Sequence, residues 1–476
     1  MRKTVFAFSA LAFSTVATSS VLAQDTATSA LIERGRSVAI ASDCMACHRT
    51  PEGEGKPFAG GYTISSPLGP IVAPNITPSK EFGIGNWSEA QFEAAMRDGV
   101  APRGHLYPAM PYTAYRAISD DDLHALFVYL KKDVKPVDEA PKAQTDLPFP
   151  FNIRLSMAGW NLFFNRATPF DNALVAPSGA DRGKYLVDGP AHCGACHTPR
   201  NTLMAEDASQ YLGGGDVGGW HAPNITSDPV SGIGGWSDAE LVTYLKNGNA
   251  VGKSQAAGPM AEAVEHSFRH MPDDDLQAIA NYLKTVPAIR SEAQTAPAYE
   301  HSKAKPAGIG TLDYGIDRSP AAMVNGTSVN GEELYVSACA TCHQLNGAGT
   351  QDQFYPSLTS NRATGGMTPN NLVMAVVEGV HRKTNDFTVQ MPAFKDELSN
   401  AQIAAVSNYV LQRFGNASLS VSEADVVELK NGGEVPLLVK ATPWLMLGGA
   451  VLAAFVLMLA AVFFWRRGKR NTLQHA

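Results

Sequence analysis

The residues most able to do chemistry are six cysteines and the histidine that follows each pair of them. All six cysteines fall in three copies of the pattern Cys-x-x-Cys-His, and none is left over for a disulfide. The copies consist of Cys44, Cys47 and His48; Cys193, Cys196 and His197; and Cys339, Cys342 and His343.

This pattern predicts three covalently attached c-type haems. Two thiols one helical turn apart reach the two vinyl groups of a haem, and the adjacent imidazole then meets the iron. A zinc ribbon would pair such cysteines without a histidine after each pair, and a thioredoxin-type dithiol needs none there either.

A second iron ligand must come from later in each repeat, and methionines next to proline are the candidates. Met110 lies in Ala-Met-Pro in the first repeat, and Met391 lies in Gln-Met-Pro in the third. Each precedes the predicted closing helix of its repeat by a similar distance along the chain. A lone methionine usually fills a core, so position relative to the haem motif carries this prediction.

The middle repeat offers two methionines. Met260 follows His197 at the spacing that separates Met110 from His48, to within one residue. Met271 lies further along, five residues before Leu276, where a helix is predicted to begin. Spacing therefore favours Met260.

Histidine ligation is the alternative at each iron, and its candidates do not recur between repeats: His105, His221, His266, His270 and His381.

Iron held by histidine and methionine has no open coordination position. Such a site transfers electrons and does not bind a small substrate. We therefore expect no catalytic residue for substrate oxidation on this chain. A peroxidase would need one iron without a second protein ligand, and three plausible methionines argue against it.

An internal repeat organises the elements that hold these residues. The offset in residue number that relates the first two haem motifs, from Cys44 to Cys193, also relates Pro74-Asn75-Ile76-Thr77 to Pro223-Asn224-Ile225-Thr226, Gly83-Ile84-Gly85 to Gly232-Ile233-Gly234, Trp87-Ser88 to Trp236-Ser237, and Gly99 to Gly248. The first two repeats therefore indicate a duplication. The third is shorter and keeps only the outline.

Each repeat is predicted to open and close with a helix. The opening helices lead into the haem motifs over 32–41, 182–187 and 331–336, and the closing helices lie near 123–130, 273–283 and 399–411. A glycine recurs in each opening helix and a tyrosine in each closing helix: Gly35, Gly183 and Gly331; Tyr129, Tyr282 and Tyr409. We expect a close crossing where each glycine lets a tyrosine pack against backbone.

The two ends of the chain predict export and membrane attachment. Residues 1–23 are typical of a signal peptide, with Arg2 and Lys3 before an apolar run and a small-residue cleavage pattern ending at Ala23. Residues 442–465 form an apolar segment long enough to span a membrane. The basic tail, 466–476, should stay on the cytoplasmic side, which leaves the repeats outside.

The length of 476 residues suggests about three domains. We predict domains over 24–146, 170–290 and 325–415, followed by a stalk over 416–441. Six basic residues lie in the signal and the tail. The exported part therefore carries 32 basic and 45 acidic residues, a net charge of −13. Such an acidic surface argues against nucleic-acid binding.

The sequence resembles the tri-haem cytochrome c subunits of membrane-bound bacterial dehydrogenases for alcohols, sugars and sugar acids. The resemblance covers nearly the whole mature chain. It rests on Gly60-Gly61-Tyr62, Pro74 to Pro78, Leu106 to Tyr112, His192 to Arg200, and Ala257-Gly258-Pro259-Met260-Ala261-Glu262. It implies an all-α fold with three class I-like cytochrome c domains in tandem.

The C-terminal membrane helix, with Leu147-Pro148-Phe149-Pro150-Phe151, is most similar to subunits that accompany flavoprotein dehydrogenases of the gluconate, sorbitol and fructose type. The resemblance implies a large FAD-containing subunit, a small third subunit, ubiquinone as acceptor, and a location in the cell inner membrane with the haem domains in the periplasm. The alternatives are a subunit of a quinoprotein alcohol dehydrogenase and an independent carrier to a terminal oxidase.

Overall fold

The computed structural model describes residues 13–51, 55–166, 178–300, 328–351 and 354–473, with side chains from residue 27 to residue 465. Residues 1–12 of the predicted signal peptide lie outside the described residues. We name the described residues up to 166 the first unit, 178–300 the second unit and 328–433 the third unit.

The first unit contains, in chain order, α1 (Phe13–Ala41), α2 (Cys44–Cys47), β1 (Thr63–Ile64), β2 (Ile71–Val72), α3 (Glu89–Asp98), β3 (Val100–Ala101), β4 (Gly104–His105), α4 (Tyr112–Tyr115), α5 (Asp120–Lys132) and α6 (Ser156–Phe164).

The second unit repeats this order with α7 (Gly179–Asp188), α8 (Gly194–His197), β5 (Gly215–Val217), β6 (Trp220–Ala222), α9 (Asp238–Asn247), β7 (Asn249–Ala250), β8 (Ser254–Gln255), α10 (Gly258–His266) and α11 (Asp273–Leu283). The third unit contains α12 (Gly331–Ala338), α13 (Ala340–His343), α14 (Arg362–Gly365), α15 (Asn370–Glu378), β9 (Val380–Lys383), β10 (Thr388–Met391), α16 (Asn400–Phe414) and α17 (Glu423–Lys430), and α18 (Leu437–Leu473) follows.

Each unit packs its helices around its own core, in agreement with the predicted closing helices. Three apolar residues at helical spacing are buried on each of α5, α11 and α16: Leu123, Leu126 and Leu130; Leu276, Ile279 and Leu283; Ile403, Val406 and Val410. Phe127, a fourth apolar residue of α5, is partly buried. A serine N-cap begins α3, α9 and α16, each with a complete capping box.

The predicted crossing of the opening and closing helices is present in every unit. A Cβ on Gly35 would lie 2.0 Å from the carbonyl oxygen of Ala125. The equivalent distances are 1.9 Å at Gly183 and 2.4 Å at Gly331, and each such Cβ would also meet the predicted tyrosine. Only glycine lets these helix pairs approach so closely.

The fold departs from an all-α description in its loops. The described strands form five two-stranded antiparallel ribbons. β1 pairs with β2 and β3 with β4 in the first unit, and β5 with β6 and β7 with β8 repeat this in the second. Strands of two to four residues leave too little alternation for a sequence pattern to reveal.

The segment predicted as a stalk packs against the third unit over its first half. Val421, Val426 and Leu429 are buried in the core of that unit, and a capping box at Ser422 starts α17. The structure therefore differs from the predicted stalk over this part of the chain, because these three apolar residues pack α17 against the core of the third unit.

The last helix, α18, begins earlier than the predicted segment and runs through Pro443. Its apolar part, Leu437–Trp465, has 29 residues, and an 18-residue stretch within it has a mean hydropathy of 2.6 and is not buried against the units. It is long enough to cross a membrane.

Candidate haem-binding sites

The three Cys-x-x-Cys-His motifs have the same local structure. Each lies on a single helical turn that follows the opening helix, and the histidine amide donates to the carbonyl of the first cysteine at 2.9 Å in every copy. All six thiols are free and partly buried. This geometry places both thiols and the imidazole of each motif on one short helix.

The thiols are not poised as nucleophiles. Burial raises the pKa of Cys44, Cys193 and Cys339 to about 12. Reactive dithiols have lowered pKa values instead. The donor set therefore fits thiols that end as thioethers on a haem better than a redox dithiol.

Each motif histidine is fixed by a proline carbonyl. Nδ1 of His48 lies 2.7 Å from the carbonyl oxygen of Pro74, and Nδ1 of His197 lies 2.6 Å from that of Pro223. The third pair has a distance of 2.9 Å and joins His343 to Pro356. A carbonyl can only accept, so Nδ1 carries the proton and Nε2 is left as a free ligand atom.

Burial also keeps these imidazoles neutral. It lowers the pKa of His48 and His343, and it lowers the pKa of His197 to about 4. A neutral imidazole with a bonded Nδ1 is the form that binds a metal through Nε2. All three sites therefore fit the proximal side of a haem.

The recurrent Pro-Asn-Ile-Thr sequence holds this proline. Oδ1 of Asn75 accepts hydrogen bonds from both the amide and the hydroxyl of Thr77, and Nδ2 of Asn75 donates to the carbonyl of Val137 after the closing helix. Asn224 and Thr226 make the same bonds in the second unit. The loop is thereby tied to the chain that leaves each unit.

The three prolines were not predicted from the sequence to be functional. A signal was present in the first two units, where the proline follows the histidine by 26 residues. In the third unit Pro356 follows His343 by only 13 residues. There Ser357 takes the place of asparagine, and its hydroxyl accepts from the amide of Thr359 at 3.1 Å.

The predicted methionine ligands lie at the edges of the three cores. Met110 follows a turn before α4, Met260 is in the first turn of α10, and Met391 ends β10. All three are partly buried and pack against the core of their own unit.

Met271 has different surroundings. It is 2% exposed, within the core of the second unit, and it directly precedes Pro272, the N-cap of α11. Its Sδ lies 4.0 Å from the hydroxyl of Ser267, and its carbonyl accepts from Lys246 at 3.0 Å. These contacts are those of a core side chain.

The alternative histidines are spread over the loops and the interfaces between units. His221 is bonded to Asp216, and His270 accepts from Arg269 at 3.0 Å. His381 is 64% exposed. His266 ends α10, and His105 lies in β4 with a buried Nδ1 that has no hydrogen-bond partner among the described residues.

The cytochrome c family profile matches residues 32–132, 180–287 and 328–413, so that each match contains one motif and its candidate methionine. This chain belongs to the cytochrome c family. It contains three cytochrome c domains in tandem, and such domains bind haem c covalently through the cysteine pairs.

Three relatives of this cytochrome c resemble it over most of its length. It is 45% identical to the fructose dehydrogenase cytochrome subunit of Gluconobacter japonicus over 92% of both chains. It is 37% identical to the cytochrome c subunit of a quinone alcohol dehydrogenase from Gluconacetobacter polyoxogenes over 90% of both chains. The gluconate 2-dehydrogenase cytochrome c subunit of Pantoea cypripedii is 37% identical over 86% of this chain and 91% of its own length.

The first two domains place their haem motifs close to each other. The ring of Tyr115 in the first domain packs edge-on against His192, which precedes Cys193, with ring centroids 5.3 Å apart. The hydroxyl of Tyr62 donates to the carboxylate of Glu262 at 2.9 Å. These contacts connect one haem-binding segment with the next.

The second and third domains also share a polar interface. Asn371 bonds both the amide and the carbonyl of His221, at 2.9 and 2.8 Å. Arg362 donates to the carbonyls of Asn224 and Ser231. The three domains thus form one continuous, packed series.

Proposed function

We propose that this cytochrome c is the electron-transfer subunit of a membrane-bound dehydrogenase complex. It takes electrons singly from the reduced flavin of a large FAD-containing subunit that oxidises a sugar, sugar acid or polyol, and passes them through three haems c to ubiquinone. The observation that carries the proposal is the presence of three equivalent motifs in a chain 45% identical to a fructose dehydrogenase cytochrome subunit.

We assign three pairs of residues that would hold the iron of each haem: His48 with Met110, His197 with Met260, and His343 with Met391. The bonds from each imidazole to a proline carbonyl support the histidines. The partly buried methionines at the edge of each core support the second ligands. A bound haem would supply reversible one-electron chemistry at iron.

The protein residues do the remaining work at each site. The two cysteines attach the group, and the proline carbonyl keeps the imidazole in one tautomer and one orientation. Methionine would hold the other side of the iron, which would leave no position for a substrate. The packed interfaces between domains then hold neighbouring sites together.

The domain limits 24–146, 170–290 and 325–415 remain part of the proposal, and the three family matches lie within them. We further propose that residues 1–23 direct export and that α18 anchors the chain in the cell inner membrane. The exposed apolar stretch Leu437–Trp465 supports the anchor. Truncation before Thr442 should release a periplasmic protein that still accepts electrons but reduces membrane quinone poorly.

A second candidate has support from the comparisons. The quinone alcohol dehydrogenase cytochrome subunit shares 37% identity with this chain, so the catalytic partner could carry a quinone cofactor in place of flavin. The two candidates differ in the partner and not in the chemistry of this chain.

Purification from membranes in mild detergent distinguishes them. We expect a large and a small subunit to accompany the cytochrome, with about one flavin per chain and activity toward a sugar, sugar acid or polyol. A pyrroloquinoline quinone in the large subunit would establish the second candidate. A cytochrome that purifies alone from active membranes would contradict both and favour an independent carrier.

A further inference from the structure

Arg382 of the third domain is buried within the second domain. Its side chain is fully buried, at 0% exposure. Nη1 donates to the carbonyl of Ala256, and Nη2 donates to Oε1 of Gln255 at 2.8 Å. Its Nε is buried with no hydrogen-bond partner among the described residues. No carboxylate in the described part of the chain forms an ion pair with it, although burying an unpaired cation is costly.

The internal repeat shows which side chain occupies the equivalent place in the first domain. A Cβ on Gly99 in the first domain would lie 2.7 Å from the ring of Tyr112. A Cβ on Gly248, the equivalent glycine of the second domain, would lie 2.5 Å from Cδ of Arg382. The first domain therefore fills this position with its own neutral tyrosine, whereas the second receives a cation from the third domain.

In both domains, the side chain that packs against this glycine lies beside the segment that carries the proposed methionine ligand. Tyr112 follows Met110 by two residues. In the second domain, the carbonyl that Arg382 bonds belongs to Ala256, the residue before the N-cap of α10, and Met260 lies in the first turn of that helix.

Further contacts hold strand β9, which carries Arg382, along helix α10. The amide of Lys383 donates to Glu265 on α10 at 3.1 Å. Nη1 of Arg269, three residues beyond the end of α10, donates to the carbonyl of Thr384 at 3.0 Å. The cation is therefore held in place by contacts that its own strand makes with the second domain.

We propose that Arg382 is a positioning residue through which the third domain sets the reduction potential of the second haem. A guanidinium keeps its charge at any physiological pH. Reduction adds one negative charge at the iron, and a fixed positive charge in a buried, low-dielectric setting favours the reduced state. Docking of the third domain would thus raise the potential of the second haem. The inference rests on the proposed haem at Cys193 and Cys196.

Two substitutions counteract this charge in different ways. Arg382→Gln deletes the cation, and Gln255→Glu leaves it in place but adds a carboxylate where its partner oxygen now lies at 2.8 Å. Arg382→Lys keeps the charge in a different shape. Asn371→Ala is the matched control, because it removes two neutral hydrogen bonds from the same domain interface.

Spectroscopic redox titration of the full-length complex tests the proposal, with the second haem identified by its loss in a Cys193→Ala/Cys196→Ala variant. Arg382→Gln should lower the equilibrium constant for reduction of that haem at least tenfold, about 59 mV for one electron. Gln255→Glu should lower it at least threefold. Arg382→Lys and Asn371→Ala should leave it within twofold.

If Arg382→Gln does not fold, Gln255→Glu and Arg382→Lys still decide the question. An unchanged second potential in Gln255→Glu, or an equal shift in the glutamine and lysine variants of Arg382, would overturn the proposal and leave a packing role. If the wild-type titration contains no component that the Cys193→Ala/Cys196→Ala variant lacks, the proposed haem at these two cysteines is itself refuted.

Discussion

Arg49, which follows His48, lies 3.6 Å from the carboxylate of Glu262, two residues after Met260. The guanidinium also lies over the ring of Tyr62, 4.6 Å from its centroid. One partly buried ion pair thus connects the proximal side of the first haem motif to the proposed distal side of the second. The distance between these two sites therefore depends on how the first two domains pack against each other.

Arg49→Gln should destabilise the pair of domains by about 1–3 kcal/mol, because it leaves a half-buried carboxylate without its cation. Burial raises the pKa of Glu262 above its ordinary value, and Arg49 opposes that rise. The folded state therefore binds the proton of the Glu262 carboxyl more tightly than the unfolded state does. The stability that this proton contributes is lost as pH rises through the pKa of Glu262 in the folded state.

Without Arg49 that fall should be larger, so the variant should lose more stability at pH 8 than at pH 5. Thermal unfolding at the two pH values measures this. Lys56→Gln is the control, since its partner Glu139 is exposed and the pair should contribute about 0–1 kcal/mol. Equal losses for the two variants at both pH values would refute the role of Arg49.

Gly183→Ala should destabilise the second domain by about 1–3 kcal/mol or more, because the added Cβ would lie 1.9 Å from the carbonyl oxygen of Ala278 and must push α7 away from α11. Gly159→Ala, within α6, meets no described atom within 4 Å and should be neutral or stabilising by up to about 1 kcal/mol. Unfolding midpoints compare them, and similar midpoints for the two variants would show that the crossing is not tight.

The helix crossings could be predicted from the sequence because their chemistry is local. A recurring glycine opposite a recurring tyrosine has one simple explanation, and Gly35, Gly183 and Gly331 all make the predicted approach. The inward faces of the closing helices followed from apolar spacing alone.

Contacts between distant segments could not be predicted in this way. Nothing near Arg382 in the chain indicates that its guanidinium ends beside Gly248, because that contact depends on how two domains dock. The proline carbonyls were missed for a different reason. A backbone acceptor has no residue-type signature, so Pro74 and Pro356 look like ordinary loop residues until their contacts to His48 and His343 are seen.

Asn224→Ala should disturb the second haem without detaching it. Removal of the side chain breaks its bonds to Thr226 and to the carbonyl of Ile289, and so loosens the loop whose proline carbonyl orients His197. Cys193 and Cys196 are untouched, so covalent haem content should stay the same. We expect a lower potential for one haem of three, measured by redox titration.

Asn86→Ala provides the control for this prediction. Asn86 makes one exposed hydrogen bond, to the carbonyl of Lys80. All three potentials should be unchanged in that variant. If Asn224→Ala also leaves all three unchanged, the loop does not control the orientation of the imidazole.

Met260→Ala should remove about a third of the weak far-red charge-transfer absorption of the ferric protein, because that band reports thioether bound to haem iron. Met271→Ala should leave the band intact and instead lower stability by about 2–5 kcal/mol, since Met271 is 2% exposed within the core. The reverse result would show that the internal repeat does not align the first two domains beyond Gly99.

The ratio of covalent haem to protein tests the central claim most directly. Pyridine haemochrome quantitation of the purified mature chain, with a haem stain on a denaturing gel to show covalent attachment, should give three haems per chain, one for each family match. A ratio of two would mean that one motif does not bind haem, and would contradict a series of three electron-transfer sites.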